Sequence, residues 1–275
     1  MGRMGRAWWI MLGLAVLAAA QPNITAWETL KVGLAETNPD KRKQAVLAMA
    51  SIGPAPEVIE LMNEALRDKD PLVRQAAAAA IGENKIRPCI PNLRAALDDT
   101  GEVAFTAARA LWDLGDHNGR KVFEDTYGGQ AKNHPGMVES AVRDAKAKLR
   151  NKQGLAIMGM NEASGALLGP FSMGITMFED AMKDTGAPGR ALAITLLSQD
   201  CDARAVQLME WSLDNDKNAL VQAATAKALG KCGDRDTILK LMPLLISNHP
   251  GARYMGAAAV VRLVIEKGAG KTPTP

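Results

Sequence analysis

Pro71-Leu72-Val73-Arg74-Gln75-Ala76-Ala77-Ala78-Ala79-Ala80-Ile81-Gly82 is the stretch whose reading decides the fold. Asp70 can accept hydrogen bonds from the free amides of a first helical turn. Pro71 suits the first helical position, where its missing donor would have no partner anyway. Alanine is the residue that costs least in a helix, and Leu72, Val73, Ala76, Ala77, Ala80 and Ile81 fall on one side of it. That face is apolar and built of small residues, so a neighbouring helix can approach closely.

The stretch recurs. Proline stands at positions 39, 71, 135, 188 and 250, at intervals of 32, 64, 53 and 62 residues. Three of these are one or two periods of about 31 to 32, a length that marks a stacked helical array. The missing prolines fall near Glu102 and Ala219, and each is followed by a matching run, at 103–115 and 221–233. The second half of the unit repeats as well, ending in Ala65-Leu66-Arg67-Asp68, Ala96-Leu97-Asp98-Asp99 and Ala181-Met182-Lys183-Asp184. The acid closes one unit and helps to open the next.

Val73, Arg74, Ala77, Ala78, Ala80, Ile81 and Gly82 resemble the first helix of the HEAT-like repeats of the phycobilisome lyase type. The resemblance covers most of residues 38–267. It implies an all-α, right-handed α-α superhelix, a HEAT-like solenoid of about seven helix pairs. Arg42, Arg190 and Arg253 fall at the arginine position of other copies, whereas Ala104 and Gln222 depart from it. In this family that arginine pairs with a loop acid of a neighbouring unit, so the two departures imply an interrupted ladder. Repeats of this kind serve enzymes, adaptors and scaffolds alike, and the resemblance does not select among them.

Composition fits the same picture. Of 275 residues 47% are hydrophobic and only 4% aromatic, which suits an alanine-rich helical stack better than a sandwich. The formal charge is +3, and removing Arg3 and Arg6 with a leader leaves 31 basic against 30 acidic residues, or +1. A dedicated nucleic-acid binder needs a basic face to neutralise phosphates, so no nucleic-acid partner is expected.

Residues 1–20 have a basic start, an apolar run over 7–17 and Ala18-Ala19-Ala20 before Gln21-Pro22. This is the layout of a cleavable signal peptide, which implies a periplasmic or secreted protein; the competing reading is an uncleaved membrane anchor. Thr25-Ala26-Trp27-Glu28 has the spacing of a capping box, with Trp27, Leu30 and Leu34 on one face of a short helix. Residues 21–37 are therefore expected to cap the open end of a solenoid spanning 38–267, with a loose tail over 268–275.

Units one to three run to about residue 129, with turns at 53–54, 82–86 and 115–118. Unit four opens at His134-Pro135 and is interrupted by an insertion at 151–170, which accounts for the irregular interval of 53. Apolar residues with interspersed glycine are unusual for a solvated loop. Leu155, Ile157, Met158, Met160, Leu167 and Phe171 either fold back on the stack, or touch a partner or a membrane over 154–171, or form a buried transmembrane turn.

No catalytic, cofactor-binding or metal-binding constellation is evident. His117, His134 and His249 are scattered, and no His-Glu dipeptide occurs, so the paired iron-binding motifs of hydroxylases built from such repeats are absent. Cys201 and Cys232 stand 31 residues apart, in near-equivalent places of adjoining units. Neighbouring helices pack about 8 to 10 Å apart, whereas a disulfide wants α-carbons within roughly 7 Å. Free thiols are therefore favoured over a bridge that would need movement of a turn.

The exposed faces of the second helices carry Glu57, Glu60, Glu64, Arg94, Arg204 and Gln207, on what is commonly the concave side of such arrays. Mixed charge favours a protein partner over an extended anion. The expected function is a non-catalytic protein-protein interaction scaffold or adaptor, exported from the cytoplasm. The alternatives are an auxiliary small-molecule or tetrapyrrole-binding subunit, as relatives by repeat include, and a membrane-associated envelope assembly factor.

Overall fold

The computed structural model describes residues 22–128, 184 and 186–268. The segment expected as a signal peptide, most of unit four, the expected insertion with Leu155, Ile157, Met158, Met160, Leu167 and Phe171, and the tail beyond Gly268 lie outside the described residues. All regular structure among those described is helical. Helix α1 covers 22–34. It is followed by α2 (Pro39–Ala50), α3 (Pro56–Ala65), α4 (Pro71–Glu83), α5 (Ile90–Ala95), α6 (Gly101–Asp113) and α7 (Arg120–Tyr127). The C-terminal half contributes α8 (Ala187–Leu197), α9 (Ala203–Asn215), α10 (Ala219–Cys232), α11 (Thr237–Leu241) and α12 (Pro250–Gly268).

The helices start where the sequence marks them. Asp70 accepts from the Leu72 amide at 2.8 Å, Asn38 from Asp40 at 2.8 Å and Asn218 from Leu220 at 3.0 Å. Each satisfies one amide that the first turn leaves free. Thr25 does not open α1, which already runs through it. Trp27, Leu30 and Leu34 nevertheless face the core as their spacing predicts, with Leu30 fully buried.

The first helices of the units form one layer in the order α8, α10, α12, α2, α4, α6. Within each half the stack follows the chain, and the last described helix, α12, lies against α2. Among the described residues the final unit has no second helix of its own, and α1 packs beside its first helix. A Cβ on Gly33 would meet the Tyr254 ring at 2.6 Å and the Ala45 Cβ at 2.8 Å. On its other side Lys31 pairs with Glu57 of α3 at 2.9 Å. Helix α1 is thus flanked on both sides, whereas a cap on an open end would have one neighbour. The result is an all-α, α-α superhelix in which the two halves of the chain share one core.

Adjacent first helices are in much more extensive contact than adjacent second helices. Gly82 and Gly230 show why. A Cβ on Gly82 would come within 2.9 Å of the Ala110 Cα, and one on Gly230 within 2.9 Å of the Ala259 Cα. Gly82, expected in a turn, is therefore helical and serves close packing. The turn is made by Lys85 instead, at φ 54°.

An arginine relay ties successive units. Arg42 holds Asp68 through two bonds of 2.8 Å, and Arg74 holds Asp99 through two bonds of 2.6 Å. Arg190 holds Asp216 at 2.7 Å and Asp184 at 2.6 Å. Arg42 and Arg74 also donate to carbonyls of their own entry loop, Glu36 O at 2.9 Å and Asp68 O at 2.8 Å. Gln222 reaches only that loop, at Asp216 O, 3.1 Å away. Arg253 lies over the Tyr254 ring, and the Tyr254 hydroxyl meets Glu36 at 3.4 Å. The ladder is interrupted as Ala104 and Gln222 imply.

Cys201 and Cys232, expected as free thiols, form a disulfide with α-carbons 5.0 Å apart. Helix spacing does not govern here, because Cys201 belongs to the turn between α8 and α9. Its φ of 53° swings it back over the end of α10. Cys89 is free and buried.

Two measurements check this packing. Gly230→Ala is expected to destabilise by about 1 to 3 kcal/mol in urea unfolding, since backbone must move. Gly189→Ala, where nothing lies within 4 Å, should be neutral or stabilise by up to about 1 kcal/mol. In thiol titration, chain unfolded without reductant should show Cys89 alone, and reduced chain all three cysteines.

Candidate functional site

First helices pack closer to one another than second helices do, from which we infer a stack that curves toward the first-helix layer, its concave side. Charge coupling supports this independently. Glu83 ends α4 and Lys227 sits in α10, with α2 and α12 between them in the stack. Their charges nonetheless attract. Three helix spacings would separate them in a straight stack by about 25 to 30 Å, so the layer bends toward this face.

The groove has walls of different sign. One carries Glu83 and Asp113 at the ends of α4 and α6, together with Arg109. The other carries Lys227 and Arg262, on α10 and α12. Crowding by the surrounding protein raises the Glu83 carboxyl above its ordinary range, against the pull of Lys227 and Arg109. Crowding likewise lowers the Lys227 ammonium, against Glu83 and with Arg262 adding to the shift. Both side chains still meet solvent. This is the environment of a cleft: water reaches the groups but protein replaces much of their hydration.

Other charges near the groove secure helix ends. Lys85 donates to the Asp113 carbonyl at 2.8 Å, Lys231 to the Ser198 carbonyl at 2.8 Å, and Arg262 to the Ser51 carbonyl at 3.2 Å. Each cation meets the negative end of a helix in a neighbouring unit. At the α6 end of the stack Trp112 packs edge-on against His117 at 4.3 Å and Phe123 at 5.9 Å.

On the same packing inference, the second-helix residues named from sequence fall on the outer side rather than on the concave side expected for them. The reason is the small-residue stripe, which contracts the other layer. Glu57 is half-buried and paired with Lys31; Glu60 and Glu64 are exposed on the same helix. Arg94 holds Asp116, whose carboxyl is pushed down to about 2, first by the Asn118 amide and also by Arg94. Arg204 and Gln207 are exposed on α9, in the other half of the chain. The structure gathers the three glutamates, but not these with Arg204 and Gln207.

Glu83, Arg109, Asp113, Lys227 and Arg262 were missed. Their signal lies in the repeat register: Glu83, Asp113 and Arg262 each stand twelve residues after the start of a first helix, and Arg109 and Lys227 eight. Aligning the copies on their first helical positions exposes that stripe.

Among known families, the one described as HEAT repeats matches residues 28–112. Residues 28–112 carry HEAT repeats. No curated protein matches it by sequence. Among solved structures, the chain is similar to human deoxyhypusine hydroxylase in complex with glycerol. The two are 18% identical with a TM-score of 0.32, over 87% of this chain and 97% of that one. The similar structure is that of an enzyme, against the expectation that the chain is not one. At that identity and score the likeness supplies neither an activity nor a site. Among the described residues no group of three His, Cys, Asp or Glu side chains could hold a metal ion.

The crowded, water-accessible amine of Lys227 has a chemical consequence. The neutral amine is the nucleophile, so acylation near pH 8 followed by mass spectrometry should label Lys227 several-fold faster than Lys121, whose ammonium is held up by Asp125. Equal rates would show that the groove does not crowd it.

Proposed function

We propose that this HEAT-repeat chain is a protein-interaction scaffold, exported from the cytoplasm, that holds a partner segment in its concave groove. The observation that carries the reading is the charge on the two walls, Glu83 and Asp113 with Arg109 on one and, on the other, Lys227 with Arg262, which also pairs with Glu266 at 2.9 Å. A segment with a base toward the first wall and an acid toward the second fits it. Charged groups already stripped of part of their hydration lose less on binding than fully solvated ones. Export is supported by the leader-like residues 1–20 and by the Cys201–Cys232 disulfide, a bond that persists in oxidising compartments.

The convex residues Glu57, Glu60, Glu64, Arg94, Arg204 and Gln207 form a second, outer set of contacts. Membrane contact through residues 154–171 remains a proposal outside the described residues. No helix among the described residues is long and apolar enough to cross a membrane. A small-molecule or tetrapyrrole-binding role would want a cysteine or histidine inside a cleft. Cys89 is buried, with its thiol pushed up to about 11 by burial, and the other two cysteines are bridged. The scaffold reading is therefore preferred.

Affinity capture from a native extract tests it. Lys227→Glu and Glu83→Lys should each reduce the retained protein about tenfold or more while leaving helicity unchanged. Retention that is the same for wild type and both variants would remove the groove from the reading.

A further inference from the structure

The convex face is not uniform along the stack. On α3 it carries Glu57, Glu60 and Glu64, as a solvated surface would. On α9 the outward stripe reads Arg204, Gln207, Leu208, Trp211, Asp214, with a helical repeat of three to four residues. Leu208 is 44% and Trp211 64% exposed. The neighbouring segment adds Leu239 at 72% and Ile246 at 85%, with Pro243 exposed between them. The Glu210–Lys240 pair at 2.5 Å fixes this segment beside α9.

We infer that this face is the contact between two copies of the chain, paired about a two-fold axis with their α9 helices antiparallel. The charge pattern selects a second copy. Arg204 stands at the amino end of the stripe and Asp214 at its carboxyl end, about 15 Å apart. Neither enters an ion pair among the described residues, and Glu210 takes Lys240 instead. Reversing one α9 on another sets Arg204 against Asp214 of the other copy at both ends. Between them Leu208 and Trp211 meet their counterparts. A two-fold makes every contact twice, so a stripe of this kind complements itself.

The area agrees with a modest dimer. The four apolar side chains leave on the order of 500 Å² open, the upper end of what a monomer exposes in one patch. Covered on both copies this approaches about 1,000 Å², where specific interfaces begin. A central tryptophan within an opposite-charge rim is the arrangement that concentrates binding energy.

Sedimentation of the purified chain over a concentration series tests the inference. Wild type should pass from monomer to dimer in the micromolar range. Trp211→Glu should leave it monomeric at every concentration, with unchanged circular dichroism. Arg204→Asp and Asp214→Arg should each weaken dimerisation about tenfold or more, since each substitution acts at both ends. The double variant Arg204→Asp/Asp214→Arg should restore it. A wild type monomeric throughout would overturn the inference, leaving the face to a different protein, and so would a dimer indifferent to Trp211→Glu or a double variant no better than the singles. The groove reading is separate. Lys227→Glu should leave sedimentation unchanged, and Trp211→Glu should leave groove capture unchanged.

Discussion

The rest of the structure depends on how closely one layer of helices can pack. Alanine and glycine on the first helices let backbones come into near contact at Gly82 with Ala110 and at Gly230 with Ala259. The second helices carry larger side chains, most are shorter, and two, α5 and α11, adjoin 3-10 turns, so their layer cannot contract equally. Two bonded layers of unequal spacing must curve, as a bimetal strip does. Curvature then brings Glu83 and Lys227 within electrical reach of each other, although α2 and α12 stand between their helices in the stack.

Curvature alone does not order the units. The arginine relay does that, because each guanidinium spans its own entry loop and the acid that opens the next unit. Planar two-pronged pairing suits arginine and no other side chain. Asp68 illustrates the balance: burial works to raise its carboxyl, while bonds from Arg42 and the Asp70 amide bring it below the usual carboxylate range. Where the chain ends meet, the relay changes form. Tyr254 fills the space left by Gly33 and reaches Glu36, so a ring does at the junction what a guanidinium does elsewhere.

The two faces differ physically in consequence. Inside, converging walls strip water from charges and shift both signs toward neutrality. Outside, many polar side chains are solvated, and the stripe on α9 with its neighbour gathers several large apolar groups where water must cover them. A groove that tolerates charge and a patch that disfavours water are suited to different occupants.

Much of the fold was legible because its determinants are local. Asp70 and Pro71 mark a helix start in any context, and a recurring Val-Arg-Ala-Ala stripe marks a repeat whether or not its neighbours are known. The arginine positions and the interruptions at Ala104 and Gln222 were legible for the same reason. What the sequence left undetermined was everything decided between elements distant along the chain: that α12 docks on α2, that α1 serves the last unit, that the turn at Cys201 reaches Cys232, and which layer faces inward. Those outcomes follow from shape complementarity of completed helices, such as Gly33 against Tyr254, and no residue carries them until its partner is in place.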